Sequence, residues 1–143
     1  MAQPLDDWEQ VRQLYMRYAN SIDEGQIDDW LDCFTEDACV EHPVLGRRQG
    51  RAGLREFAEQ YLKSLGGMKP RHFITNVAAE LEGENGTGSC YFLYYKTWHG
   101  RTELAAVGGY RDVLRKENGR WLMARRRVFV DTGMTAKSEL TKS

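Results

Sequence analysis

Apolar residues recur at helical spacing through the first part of the chain and alternate with polar ones through the rest. Trp8, Val11, Leu14, Tyr15, Tyr18 and Ile22 line one stripe of a first helix. Asp6 with Glu9 three residues on reads as a capping box. Asp23-Glu24-Gly25 ends the helix, with Gly25 suited to the left-handed position that follows one. A short second helix from Ile27 to Phe34 is predicted to bury Trp30, Leu31 and Phe34. Ala38 to Pro43 reads as a strand and Gly46 to Gly50 as a turn. A third helix from Ala52 to Leu65 carries Leu54, Phe57, Tyr61 and Leu62.

After Gly66-Gly67 and Pro70 the period changes to two. Strands are predicted at Arg71–Leu81, Gly88–Trp98, Arg101–Leu114 and Arg120–Asp131. Gly83-Glu84-Asn85-Gly86, His99-Gly100 and Glu117-Asn118-Gly119 separate them with hairpin chemistry. Three N-terminal helices before an antiparallel meander make an α+β fold. A sheet covered by helices on one face tends to curl, so the expectation is a strongly curved, mainly antiparallel sheet. It forms a cone around an internal cavity. Residues 1–131 read as a single domain and 132–143 as a polar tail.

Composition narrows the classes. A length of 143 residues allows one core, and 41% hydrophobic with 29% charged residues is ordinary for a globular chain. No apolar run approaches a membrane span. The N-terminus lacks the basic flank and apolar segment of an export signal, so a cytoplasmic protein is expected. Cys33, Cys39 and Cys90 have no CxxC spacing and read as reduced, buried thiols. A net charge of -1 argues against nucleic acid, although residues 1–45 hold 11 acids and 2 bases. Within Arg125-Arg126-Arg127, strand alternation sends Arg126 to one face and its neighbours to the other. Those arginines are expected to be solvated or paired with the acidic helical half, the alternative being a role at a subunit or ligand surface.

Candidate chemistry centres on a few side chains. Tyr18 continues the apolar stripe and should point inward. Asp23 sits where the helix dipole disfavours an acid, so it either caps a neighbour or has a partner. Alternation in the strand from Arg71 places His72, Ile74 and Asn76 on one face. His42 closes the first strand as a rim residue, and His99 sits at a surface turn. No histidine pair has metal-ligand spacing, and serine-hydrolase, phosphate-loop and dinucleotide motifs are missing, so neither metal nor cofactor is expected.

The segments at 18–38, 50–57, 71–77 and 108–121, in this order and spacing, resemble the SnoaL-like branch of the nuclear-transport-factor-2-like superfamily. The resemblance runs from Asp6 to Asp131 and extends to dehydratases of the scytalone and bile-acid types, a dehydrochlorinase, polyketide cyclases and ketosteroid isomerases. In the dehydratase and dehydrochlorinase branches an aspartate ending the first helix orients a histidine on the strand after the third. Asp23 and His72 fall at those positions. The resemblance therefore implies a cofactor-independent lyase or isomerase acting on an apolar aromatic or polycyclic molecule. Asp23 and His72 would form its acid/base pair and Tyr18 would be a catalytic donor. His42, Trp30, Phe34 and Asn76 would contact substrate.

Ketosteroid isomerases carry an acid where this chain has His42, and their second oxyanion donor has no counterpart near Val107–Gly109. His42 remains a candidate second base. Residues 100–131 also resemble the small subunits of Rieske-type ring-hydroxylating dioxygenases, which would make the chain a non-catalytic partner of a large subunit. A stand-alone enzyme of this kind is expected to be a homodimer or homotrimer.

Overall fold

The computed structural model describes residues 5–132. The Asp6 carboxylate opens helix α1 (Asp7–Asp23) by accepting the backbone N–H of Glu9 at 2.8 Å. The reciprocal half of the expected box is not made, because the Glu9 carboxylate is taken by Arg12 and Gln13. At the other end Gly25, at φ 72°, lets the N–H of Gln26 reach the Ser21 carbonyl at 2.8 Å. The stripe from Val11 to Ile22 is buried, whereas Trp8, one turn earlier, is 44% exposed.

Helix α2 spans only Ile27–Leu31, and Phe34 already belongs to strand β1 (Phe34–His42). Phe34 is still buried against Trp30, at 4.8 Å between ring centroids, so burial alone did not distinguish the two elements. The expected Gly46–Gly50 turn is instead strand β2 (Gly46–Gln49), antiparallel to β1, running straight into α3 (Gly50–Ser64). Its four residues carry no buried apolar position that periodicity could reveal.

Four long strands follow: β3 (Lys69–Glu82), β4 (Asn85–Trp98), β5 (Arg101–Glu117) and β6 (Arg120–Thr132). His99-Gly100 and Asn118-Gly119 each supply the two positive φ angles of a tight hairpin. The six strands form one sheet in the order β2-β1-β6-β5-β4-β3. All pairings are antiparallel except β1 with β6. The sheet curls without closing, and β2 and β3 are its two edges among the described residues. The expected cone with an internal cavity therefore gives way to an open, curled sheet.

Bulges shape the curl. At Gly108, opposite the Val107/Gly108 register shift, a Cβ would collide with the Phe129 carbonyl, so only glycine lets the strands approach there. A second bulge lies between Thr75 and Ala78 in β3, with Asn76 at φ 55°. It resets the alternation, so Ile74, Val77, Ala79 and Leu81 are the half-buried positions and Asn76 is exposed. Helix α1 lies on β3 and β6, and α3 on β1 and β2. The opposite sheet face exposes Phe73, Tyr91 and Val113. Cys33, Cys39 and Cys90 are free and buried, and burial pushes the Cys33 thiol up to about 11 and that of Cys90 up to about 12. The expected tail lies outside the described residues apart from its first residue, Thr132, which ends β6.

Candidate active site

Among the described residues, edge strand β3 pairs with β4 alone, which leaves some of its backbone N–H groups without a sheet partner there. Asp23, at the last position of α1, fills one of these gaps: its Oδ2 accepts the His72 backbone N–H at 2.9 Å. Its Oδ1 meets the His72 ring at Nδ1, 2.6 Å away. An ionised carboxylate only accepts, so beside it Nδ1 carries the hydrogen, and in the neutral imidazole Nε2 keeps a lone pair. Both side chains are largely shielded, 11% exposed for His72 and 6% for Asp23. Two hydrogen bonds offset the cost of an acid at the negative end of a helix.

The His72 ring lies flat on Tyr94, with centroids 4.4 Å apart and planes 8° from parallel. This stacking fixes the imidazole from the face while Asp23 fixes it from the edge. The Tyr94 hydroxyl is 2.5 Å from that of Tyr61 on α3. Burial pushes Tyr94 up to about 12 and Tyr61 well above the usual phenol range, so both stay protonated. Only one hydrogen can lie between two hydroxyls, so the other is free to point at a ligand.

These residues border a partly open pocket of about 50 Å³ between α1, α3 and the covered sheet face. Tyr18, Ile22, His42, Phe57, Phe92 and Tyr110 complete much of its wall. As it stands, such a space holds a few waters rather than a polycyclic ligand. Tyr18 lines it as expected, and burial raises its phenol, keeping the proton in place.

Trp30 and Phe34 do not line the pocket. At 0% and 3% exposure they are core, packed behind Tyr18, Phe34 edge-on to it and Trp30 tilted. Asn76 is also outside it, turned to solvent by the β3 bulge. His42 does reach the pocket, and His99 lies in an exposed hairpin turn.

Sequence reasoning missed the charge beneath the pocket. Alternation does hold across Arg125, Arg126 and Arg127, and the outer two pair with Glu41. Arg126, however, is completely buried and bonds Asp112 of β5 twice, at 2.8 and 2.7 Å. The Tyr15 hydroxyl donates to the same carboxylate. The guanidinium packs on the rings of Tyr110 at 3.8 Å and Tyr18 at 4.2 Å, both pocket residues. Burial alone would lower its basicity, but the Asp112 charge and hydrogen bonds hold it well above the usual range. Asp112 lies on the strand that hairpins with β6, so its tie to Arg126 depends on register across β5 and β6. Among the described residues no group of three or more His, Cys, Asp or Glu could hold a metal ion.

The family model for the SnoaL-like domain matches residues 3–127. The chain belongs to this family. A comparison with curated proteins finds no match. Among solved structures, this SnoaL-like domain is similar to Rv3472, a protein of unknown function from Mycobacterium tuberculosis. Identity is 26% over 96% of this chain and 82% of that one, with a TM-score of 0.81. A proposed aromatic ring hydroxylase from Novosphingobium aromaticivorans is 27% identical over 92% and 93% of the two chains, with a TM-score of 0.75. A Catenulispora acidiphila protein in complex with S-DNPA is 26% identical over 87% and 92%, with a TM-score of 0.78. An NTF2-like protein with a cystatin-like fold, also from Novosphingobium aromaticivorans, superposes with a TM-score of 0.81 at 22% identity and shares the fold. No helix among the described residues is long and apolar enough to cross a membrane.

Proposed function

We propose that this SnoaL-like domain is a cofactor-independent enzyme that moves a proton on an apolar small molecule, by elimination or isomerisation. The observation that carries the reading is the double grip of Asp23 on His72, which leaves Nε2 as a positioned base beside the pocket. Nε2 takes a proton from carbon, and the C–H electron pair moves into a new double bond. In a dehydration the imidazolium returns that proton to the departing hydroxide as water. In an isomerisation it returns the proton to another carbon. Asp23 stabilises the imidazolium formed between these steps, and the protonated Tyr18 donates to the oxygen that gains charge. A bicyclic or larger ligand requires the pocket wall to open.

The test is deuterium uptake from D₂O into the flanked methylene of 2-indanone, followed by NMR. The wild type accelerates uptake, and His72→Ala lowers the rate to the level of buffer while keeping the fold. Equal rates in wild type and His72→Ala would remove His72 as the base.

A second reading is favoured by the likeness to the proposed ring hydroxylase and by the apolar outer face at Phe73, Tyr91 and Val113. Here the chain is a small subunit of a dioxygenase, and the pocket is incidental. It predicts a stable complex with a Rieske large subunit, whereas the first reading predicts a homodimer or homotrimer. Sedimentation with and without such a subunit separates the two.

A further inference from the structure

The two histidines of the pocket are held by opposite means. His72 uses its Nδ1 hydrogen on a carboxylate. His42, at the last position of β1, accepts at Nδ1: the backbone N–H groups of Val44 and Leu45 both point to it, each at 3.1 Å. These are donors with no alternative, so Nδ1 of His42 must carry the lone pair. In a neutral imidazole the hydrogen then sits on Nε2. That atom has no protein partner among the described residues, and the ring lines the pocket with Phe57 edge-on at 5.8 Å.

We infer that His42 is a fixed neutral donor presenting Nε2–H to the pocket, and that it selects ligands with a carbonyl oxygen beside the carbon to be deprotonated. The first half rests on the β1–β2 turn alone; the second rests on the proposed role of His72. His42 is thus excluded as a second base, because its only free lone pair is committed to two backbone N–H groups. Protonation would need a hydrogen on Nδ1, directed at those same two donors. Burial acts in the same direction and holds His42 down to about 4. The other titratable groups bordering the pocket are His72 and the phenols of Tyr18, Tyr61, Tyr94 and Tyr110.

The chemistry that matches this arrangement is enolisation. The C–H electrons form a carbon–carbon double bond, the carbonyl π pair moves to oxygen, and the proton rests on His72 Nε2. The oxygen gains charge and strengthens its hydrogen bond to His42 Nε2–H, which keeps its hydrogen throughout. Collapse of the enolate then expels a β-leaving group or takes a proton at a new carbon. A halide or alcohol without a neighbouring carbonyl draws no such benefit from His42.

His42→Asn is the discriminating variant, because the asparagine Oδ1 can replace Nδ1 as acceptor for Val44 and Leu45 while the Nε2 donor disappears. Binding of 2-indanone and of its isosteric 2-methylene analogue, which lacks the acceptor, is followed by NMR titration. The wild type prefers the ketone by roughly tenfold, the worth of about one hydrogen bond. His42→Asn, with an unchanged melting temperature, binds the two equally, and His72→Ala keeps the preference. Nitrogen-15 spectra of the wild type place the hydrogen of His42 on Nε2. A hydrogen on Nδ1, or an undiminished ketone preference in His42→Asn, overturns the inference. Failure of deuterium uptake with the preference intact overturns only the role of His72, so the two ideas fail separately.

Discussion

Asp23 binds His72 at two places at once, the backbone N–H at 2.9 Å and ring Nδ1 at 2.6 Å. One carboxylate therefore satisfies the edge of a sheet and fixes a tautomer. The consequence for mutation is that Asp23 has a structural and a chemical share that different variants separate. Asp23→Asn can keep an acceptor for the backbone N–H but loses the charge opposite the imidazolium. We expect deuterium uptake to fall by about tenfold to a hundredfold, in line with the loss of a charge-assisted partner, with little change in melting temperature. Asp23→Ala, which leaves the β3 N–H unpaired, should also lower stability by about 1–3 kcal/mol. Urea denaturation of the two variants checks the separation.

The buried Arg126–Asp112 pair should be costly to break from either side. Asp112→Ala strands a cation that is completely buried, and a loss of about 3–5 kcal/mol follows from an uncompensated charge. Replacing both members with apolar residues, as in Asp112→Leu with Arg126→Met, should recover much of that loss. Chemical denaturation of the single and double variants measures it. If the single variant is as stable as wild type, the pair does not organise the floor of the pocket.

His42 gives a pH signature in stability. Its ordinary value of 6.5 is lowered to about 4 by burial in the folded chain. Between those values the unfolded chain binds a proton that the folded chain refuses, so stability falls as pH drops from 6.5 towards 4. Above 6.5 the contribution is full and flat. Urea midpoints measured at pH 7, 5.5 and 4 should show the decline, and His42→Asn should make it shallower.

Asn76 occupies a left-handed backbone position at a bulge. Asn76→Gly should be tolerated, whereas Asn76→Val should cost about 1–2 kcal/mol, the price of a branched side chain at positive φ. Melting temperatures of the two variants test this without reference to activity.

Much of this arrangement was legible from residue order. The α1 stripe and the alternation of the four long strands are local patterns, and those strands are found near their expected places, with Asn85-Gly86 and Glu117 inside β4 and β5 instead of in turns and β2 not foreseen. Asp23 ends α1 and His72 lies near the start of β3, and only the packing of α1 on β3 brings them within a hydrogen bond. Bulges were not legible: one extra residue at Asn76 reverses the face of everything after it, and no composition signal marks it. Arg126 was misread for a related reason. Its partner Asp112 is across a hairpin, so the pairing depends on register rather than on the acidic helices. Trp30 and Phe34 were right as apolar positions, but sequence does not tell a core wall from a pocket wall.

The central claim, that Asp23 and His72 act as one unit, is tested most directly by nitrogen-15 spectra of the His72 imidazole in wild type and in Asp23→Asn. The neutral wild-type ring should carry its hydrogen on Nδ1, facing the carboxylate, and Asp23→Asn should lose that fixed tautomer. The same tautomer in both proteins would show that the carboxylate does not set it, and the proposed base would lose its basis.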